Sequence, residues 1–190
     1  MTPNPIPRFP PVFDLGGGII LRAAEPDDAE AVYAVVDRDR DHLRIWLPWV
    51  VGSQSARDTR AFLEQDSELR VRGVTATYLI LENGEISGFI GLHNIDALNR
   101  SFLIGYWLAK RFEGRGLIAR SCRHLVKIAF ECYDMERAVI RCAAGNTRSA
   151  AVPKRLGFVL EGIERHGQRL NGEFVDLERY SLLSGDWQRS

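Results

Sequence analysis

Leu103-Ile104-Gly105-Tyr106-Trp107-Leu108-Ala109-Lys110-Arg111-Phe112-Glu113-Gly114-Arg115-Gly116-Leu117-Ile118 is the stretch on which the fold turns. It reads as an apolar strand, a glycine-spaced turn and the opening of a basic helix. At such a junction the first main-chain N–H groups of the helix have no partner and the helix dipole is positive. Residues without a Cβ also let an anion come close. Between Lys110 and Lys127, the basic residues Lys110, Arg111, Arg115, Arg120, Arg123 and Lys127 face one acid, Glu113, in a chain of net charge +0. Positive charge this local suits a small polyphosphate, whereas a nucleic-acid backbone calls for a broad basic surface.

Other readings of the turn are weaker. Gly114-x-Gly116-x-x-Ala119 satisfies the dinucleotide fingerprint, but that fingerprint opens the first strand–helix–strand unit of a doubly wound domain. Here several antiparallel strands come first, and the downstream acid, Glu136, stands at the start of its strand. A Walker-type loop fails because no G-K-[ST] follows the glycines. A turn that merely packs a helix on a sheet remains the plain alternative.

Outward from this stretch, Thr75 to Leu81 and Ile86 to Leu92 read as strands joined through Asn83-Gly84, and Asn171-Gly172 joins a strand near Phe158 to His166 with one near Phe174 to Leu183. Asn-Gly is a strong hairpin signal because a type I′ turn needs positive φ. Strand 102–108, helix 116–131, strand 137–142 and helix 147–156 form a right-handed crossover, so the two strands run parallel. Upstream, Ile19-Ile20-Leu21 reads as a strand and Glu25-Pro26-Asp27-Asp28 opens a helix with Ala29, Val32, Tyr33 and Val36 at helical spacing. A second helix runs from about Ser55 to Arg70, anchored by Ala61, Phe62 and Leu69. His42 to Trp49, between them, is too aromatic for an ordinary linker. These elements make an α/β fold: a mixed sheet with helices on both faces.

A chain of 190 residues, 45% hydrophobic and 26% charged, suits one domain with a sizeable core. Five prolines fall in the first eleven residues, so residues 1–12 read as an extended arm, mobile or laid on the partner of a homodimer, ahead of one domain at 13–188. Cys122, Cys132 and Cys142 form no C-x-x-C pair and read as buried thiols in a reducing cytoplasm. The four histidines show no metal-ligand spacing, so no metal is expected. No apolar run reaches the ~18 residues of a membrane span, and the start lacks a signal peptide's regions. The acids Glu25, Asp27, Asp28, Glu30, Asp37, Asp39 and Asp41 face only Arg38 and Arg40. That run is either a solvated helix face or a lure for a cationic amine.

Taken in order, these segments resemble the GCN5-related N-acetyltransferase (GNAT) superfamily, specifically its Rim-type branch. The resemblance runs from Ile20 to Trp187: Leu21-Arg22, His42-Leu43-Arg44-x-Trp46-Leu47-Pro48-Trp49, Gly91-Leu92-His93-Asn94-Ile95-Asp96, Ile104 to Leu108, the glycine turn, Asn146-x-x-Ser149 and Arg155-Leu156-Gly157-Phe158. It implies a GNAT fold with a mostly antiparallel seven-stranded sheet whose central parallel pair splays apart around acetyl-coenzyme A. It implies that amides from Glu113, Gly114, Arg115, Gly116, Leu117 and Ile118 hold the pyrophosphate, with Arg115 near the nucleotide phosphates. Leu108 would pair with the pantetheine arm through its main chain. Asn146 would bond the arm or cap a helix, or both.

Two departures bear on catalysis. The tyrosine that many superfamily members place after the Asn is Pro153 here, so no phenol from this helix is the acid; the Rim-type substitute is Ser149, as general acid or thiolate stabiliser. Because Pro153 has no N–H, the carbonyl of Ser149 loses its usual donor. A carboxylate that some Rim-type enzymes use as base falls at Gln168, leaving the base open. His93 and Glu161 are candidates, each with a plainer reading as a solvated loop histidine and a strand-end carboxylate. Trp46 and Trp49 either line the acceptor site or form an apolar lid.

The resemblance implies acetyl transfer from acetyl-coenzyme A to a primary amine, by direct attack in a ternary complex. A protein or peptide N-terminal α-amine fits best, since its pKa near 8 makes deprotonation cheaper than for lysine by ~2–3 kcal/mol. A small amine, such as a polyamine or an amino-acid-like antibiotic, and a non-catalytic acyl-coenzyme A module are the alternatives.

Overall fold

The structure, a computed structural model, describes residues 8–187. In chain order the elements are β1 Val12–Asp14, β2 Ile19–Ala23, α1 Ala29–Arg38, α2 Arg40–Leu43, α3 Ala56–Val71, β3 Ala76–Glu82, β4 Glu85–Asp96 and β5 Ser101–Leu108. There follow α4 Leu117–Tyr133, β6 Arg137–Ala143, α5 Thr147–Arg155, β7 Val159–Leu170, β8 Glu173–Leu183 and α6 Ser184–Trp187. The strands form one sheet in the order β1-β2-β3-β4-β5-β6-β8-β7, antiparallel except at β5–β6.

Local chemistry accounts for the element boundaries. Both hairpins turn on positive-φ Asn-Gly pairs, with Asn83 at 52° and Gly84 at 81°, and Asn171 at 51° and Gly172 at 93°. Glu25 and Asp28 form a reciprocal cap around Pro26, and the short 3₁₀ turn Pro26–Asp28 leads into α1. The Ser55 side chain accepts from the Asp58 amide at the start of α3.

Three expectations change. The sheet has eight strands, not seven: Val12, assigned to the proline-rich arm, begins β1, which pairs with β2. Three residues between Pro11 and a glycine run carry no alternation, so only the pairing reveals this strand. The anchors of α3 are also different. Thr59, Leu63 and Asp66 are its buried residues, whereas Phe62 is 49% exposed. Two of these three inward positions are polar, which hides the face from a hydrophobic pattern; Thr77 Oγ1 donates to Asp66 Oδ1 at 2.8 Å in compensation. Lastly, Cys132 is exposed, because the buried stripe of α4 passes through Cys122, Leu125, Val126, Ala129 and Phe130 and leaves residue 132 outside.

Of the arm, residues 1–7 lie outside the described residues. Residues 8–11 rest on their own chain: Tyr133 donates to the Arg8 carbonyl at 2.6 Å and Tyr78 to that of Pro10 at 2.8 Å.

One core lies between the sheet and α4–α5, built on Tyr78, Ile90, Leu92, Phe102, Ile104, Leu125 and Ile140. A smaller one lies on the opposite face, where α1 and α3 cover β2–β5 through Val32, Val36, Leu63, Leu79 and Phe89. On that second face β6, β8 and β7 carry the part-exposed charges Arg137, Arg141, Arg179, Glu161 and Glu164.

The parallel pairing is short. Ser101 to Ile104 pair with Arg137 to Ile140, and beyond that point the strands are held only by their outer neighbours. β5 continues on β4 to Gly88↔Leu108, and β6 on β8 to Ala143↔Leu177. Gly88 permits this course of β5, because a Cβ there would sit 2.2 Å from the Trp107 carbonyl oxygen and 2.9 Å from the Leu108 Cα. Backbone atoms cannot yield as a side chain can. Gly88→Ala is expected to cost about 1–3 kcal/mol, as overpacking in a close-fitted core does, and, by displacing Leu108, to weaken binding of the acetyl-coenzyme A that the resemblance implies. Denaturant unfolding and cofactor titration check this; unchanged values in both would refute it.

Candidate active site

β5 leads through Ala109 and the 3₁₀ turn Lys110–Phe112 to Gly114 and Gly116, whose φ values are 77° and 75°. No atom lies within 4 Å of where a Cβ on either would stand. Gly116 caps α4 without a side-chain acceptor. Among the described residues, the amides of Gly114, Arg115, Gly116, Leu117 and Ile118 meet no protein acceptor. This is a cradle of convergent N–H groups at a positive helix end, fitted to a pyrophosphate.

The charges around it differ from the sequence picture. Arg115 is engaged by Glu82 at 2.7 Å and by the Arg111 carbonyl at 2.9 Å, Arg111 pairs with Glu85, and Arg120 donates to the carbonyls of Leu15 and Gly16. The hairpin acids Glu82 and Glu85 thus balance much of the apparent excess. A cation that the linear pattern missed, Arg148 of α5, meets Glu113 at the loop. Glu113 also receives His42 Nε2 at 3.0 Å. Its side chain therefore joins α2, the glycine turn and α5. Asp39, at the end of α1, accepts from the Lys110 amide at 2.6 Å.

The acids of the first helix are mostly paired. Asp28 binds Arg22 at 2.6 Å, Asp27 binds Arg60 at 3.3 Å, Glu25 binds Arg70 at 2.7 Å and Asp37 binds Arg40 at 3.0 Å. The excess offered as a lure for a cationic amine is thereby absorbed by arginines from other elements and from the chain nearby.

From Gly105 to Leu108, the edge of β5 facing β6 has no strand partner, so main-chain donors and acceptors line one wall of the wedge. On the α4–α5 side, Asn146 Oδ1 caps α5 by accepting from the Ser149 amide at 3.1 Å. Its Nδ2 has no protein acceptor among the described residues. Tyr106 Oη lies 3.1 Å from the Ser149 carbonyl and 3.2 Å from Ser149 Oγ. The carbonyl orphaned by Pro153 thus takes its donor from across the wedge, on β5. Burial pushes the Tyr106 pKa well up, so the phenol keeps its proton. The Cys142 thiol, beneath Ser149, is pushed up to about 11 by burial.

On the opposite face, Trp107, Gly105, Leu103, Val139 and Arg141 share one side of the sheet by register. Trp107 stacks on Phe89 at 5.9 Å and 9°, and Trp49, 43% exposed, tilts against Trp107 at 6.1 Å. Trp46 is half-buried in the same segment, its amide bonded to the Leu43 carbonyl at 3.1 Å. Across the wedge, Asn171 at the β7–β8 turn donates to the Arg44 carbonyl at 3.2 Å, so the hairpin tip meets the segment 42–49.

The two candidate bases have different settings. His93 folds back along β4: a Cβ on Gly91 would lie 2.8 Å from its Nε2, and one on Gly105 3.2 Å. A Cβ at Gly91 would force the ring to shift and one at Gly105 would crowd it, and Gly105 is the first residue of the open wedge. Burial lowers the His93 pKa, with the nearby Asp66 charge opposing it. Asp66 is 4% exposed and its Oδ2 has no partner among the described residues. Glu161 instead meets both Arg137 terminal nitrogens, at 2.7 and 2.5 Å, and accepts from Ser181 at 2.8 Å. It stands beside the first residue of β6, away from the splayed end.

No group of side chains suited to a metal ion occurs among the described residues, and none of their helices is long and apolar enough to cross a membrane.

A family model described as "Acetyltransferase (GNAT) domain" matches residues 19–159. The putative ribosomal N-acetyltransferase YdaF of Bacillus subtilis (strain 168) is 39% identical over 173 residues, covering 90% of this chain and 93% of that protein. The ribosomal-protein-serine acetyltransferase of Escherichia coli (strain K12) is 29% identical, with 86% and 91% covered. Among solved structures, RimL, a ribosomal L7/L12 alpha-N-protein acetyltransferase in complex with coenzyme A, superposes with a TM-score of 0.88 at 30% identity, covering 90% of this chain and 97% of that one. The chain belongs to the GNAT family, in its Rim-type branch. It is an acyltransferase that uses acetyl-coenzyme A.

Arg137 first, then Ser181, hold the Glu161 carboxyl down to about 2 from an ordinary value of 4.5. A carboxyl depressed in the folded state stabilises above its unfolded pKa, and that contribution is lost as pH falls through the folded one. Glu161→Gln should therefore flatten the loss of stability between about pH 4.5 and 2. Urea unfolding at stepped pH measures it, and an acid limb identical to the parent's counts against the pairing.

Proposed function

We propose that this enzyme acetylates the α-amine at the N-terminus of a protein or peptide, of the ribosomal-protein type, by direct attack on acetyl-coenzyme A. The observation that carries this reading is the His93 imidazole, kept neutral by burial and lying over Gly105 where the wedge opens. A weak neutral base suffices for an α-amine with a pKa near 8, but hardly for a lysine near 10.4. The names of the relatives point the same way.

In this mechanism, the amides from Gly114 to Ile118 and the edge of β5 at Leu108 align the thioester in the wedge, while the Glu113 amide, expected to join them, is spent on the Lys110 carbonyl at 3.2 Å. Arg148 and Arg115 stand by for phosphate. The acceptor enters from the Trp49–Trp107 side and its nitrogen attacks the thioester carbon. His93 Nε2 takes the ammonium proton, and the buried Asp66 carboxylate favours the imidazolium that results. As the C–S bond breaks, Ser149 Oγ donates a hydrogen bond to the departing sulfur. Tyr106, protonated throughout, holds Ser149 in place. The proton on His93 then passes to solvent, and coenzyme A leaves. Glu161 is no base here, since its carboxylate is committed to Arg137 and Ser181.

A thiol-release assay tests the reading against peptides with free and blocked N-termini and against polyamines. Free N-termini should give coenzyme A release and blocked ones none. Turnover of polyamines alone would favour the small-amine alternative, and tight acetyl-coenzyme A binding with no release would make the chain a binding module. Ser149→Ala should lower kcat about 10- to 100-fold with acetyl-coenzyme A affinity nearly kept. For His93, whose folded pKa lies below 6.5, the pH profile should show, beneath the limb set by the acceptor amine near pH 8, a second acid limb below pH 6.5. His93→Gln should lower the plateau and abolish that limb; a variant that retains the limb removes His93 from the base role.

A further inference from the structure

We infer that Arg141 and Arg179 select acceptors that carry a carboxylate close behind the reacting amine, an aspartate or glutamate at the second or third residue. This rests on the acetyl-transfer reading above and deepens it.

Ile140 is the last residue of β6 paired with β5, at Ile104, so Arg141 and Gly105 are the first residues on either side of the open wedge. By register they lie on the same face. The His93 ring covers Gly105 on that face, so Arg141 stands opposite it across the opening. Arg179 is the direct cross-strand partner of Arg141.

This part of the sheet is charged and unevenly balanced. Arg141 Nε lies 3.0 Å from Glu164 Oε2 and Arg179 Nη1 2.8 Å from Glu164 Oε1, so one carboxylate serves both. Glu161 is shared between Arg137, at 2.5 Å, and Arg179, at 3.6 Å. Three guanidinium groups against two carboxylates leave a surplus positive charge beside the acceptor path. The terminal nitrogens of Arg141 have no protein partner among the described residues. The nearest acids of β8 are turned away: Asp176 and Glu178 alternate to the other face, where Asp176 accepts from the His166 amide at 2.8 Å and Glu178 from Tyr180 at 2.5 Å.

The side chains of Arg141 and Arg179 are 37% and 39% exposed, open enough to be met yet backed by the sheet. A planar guanidinium with free terminal nitrogens matches a carboxylate in a two-bond fork. An extended chain advances ~3.3 Å per residue, so an amine held near His93 brings the next one or two side chains over Arg141. A lysine there would meet like charge.

The test compares peptides that begin Ser-Glu, Ser-Gln and Ser-Lys and are otherwise identical, by coenzyme A release. The parent should favour Ser-Glu over Ser-Gln in kcat/KM by about fivefold, the range of a half-exposed charge-assisted contact, with Ser-Lys lowest. In Arg141→Gln the Glu/Gln ratio should fall to about one, and Arg141→Lys should restore part of it. If Arg141→Gln does not fold, Arg179→Gln is read on the same ratio. Acetylation of all three peptides at equal efficiency by the parent, or a preference that survives in the variants, overturns the inference and leaves the proposed function standing. If no peptide or polyamine is acetylated while acetyl-coenzyme A binds, both fall. A variant that loses self-association with an unchanged ratio makes this face an interface between copies and likewise overturns the assignment.

Discussion

Everything in the site depends on a parallel ladder that stops after four residue pairs, Ser101↔Arg137 to Ile104↔Ile140. Past it, each strand follows its outer neighbour: β5 stays on β4 and β6 on β8. The Ala109 amide, bonded to the Ser87 carbonyl at 2.8 Å, and the Ala144 amide, bonded to the Asp176 carbonyl at 2.8 Å, extend these attachments beyond the strands. A sheet interior with unused ladder groups is costly unless something else meets them. The wedge is thus pre-built for an extended, amide-bearing ligand.

The two faces carry different chemistry. On the α4–α5 side lie the unpaired amides of the glycine turn, Asn146, Ser149 and Tyr106. On the α1–α3 side lie an aromatic wall, His93 and a charged floor. Glu113 ties the two together through His42 on α2 and Arg148 on α5. A residue at the start of the glycine turn therefore also anchors the aromatic segment from His42 to Trp49.

Pro153 shows how one backbone defect can build a site. A proline inside a helix leaves a carbonyl without its donor. Here that carbonyl belongs to Ser149, and Tyr106 supplies the missing hydrogen while its oxygen also reaches Ser149 Oγ. Other helices with a buried proline invite the same question, namely which side chain from another element completes the bond.

The glycine turn, both Asn-Gly hairpins, the crossover and the Asn146–Ser149 pair were all legible in the sequence. Each is decided by a few adjacent residues whose backbone preferences are local. β1 was not legible, nor was the polar buried face of α3, because a three-residue strand and a buried carboxylate are stable only once a neighbour supplies hydrogen bonds. The orphaned Ser149 carbonyl could be foreseen; its Tyr106 donor could not. Likewise a linear count made the helix around Arg115 strongly basic, whereas folding brings Glu82 and Glu85 against it. The different settings of His93 and Glu161 also needed the fold: burial over two glycines and capture by an arginine both act through space. The sequence by itself determined the strand–turn–helix and its unpaired amides, since these follow from chain order alone. The tertiary structure decided which side chains face one another across the wedge, since register and twist have no linear record.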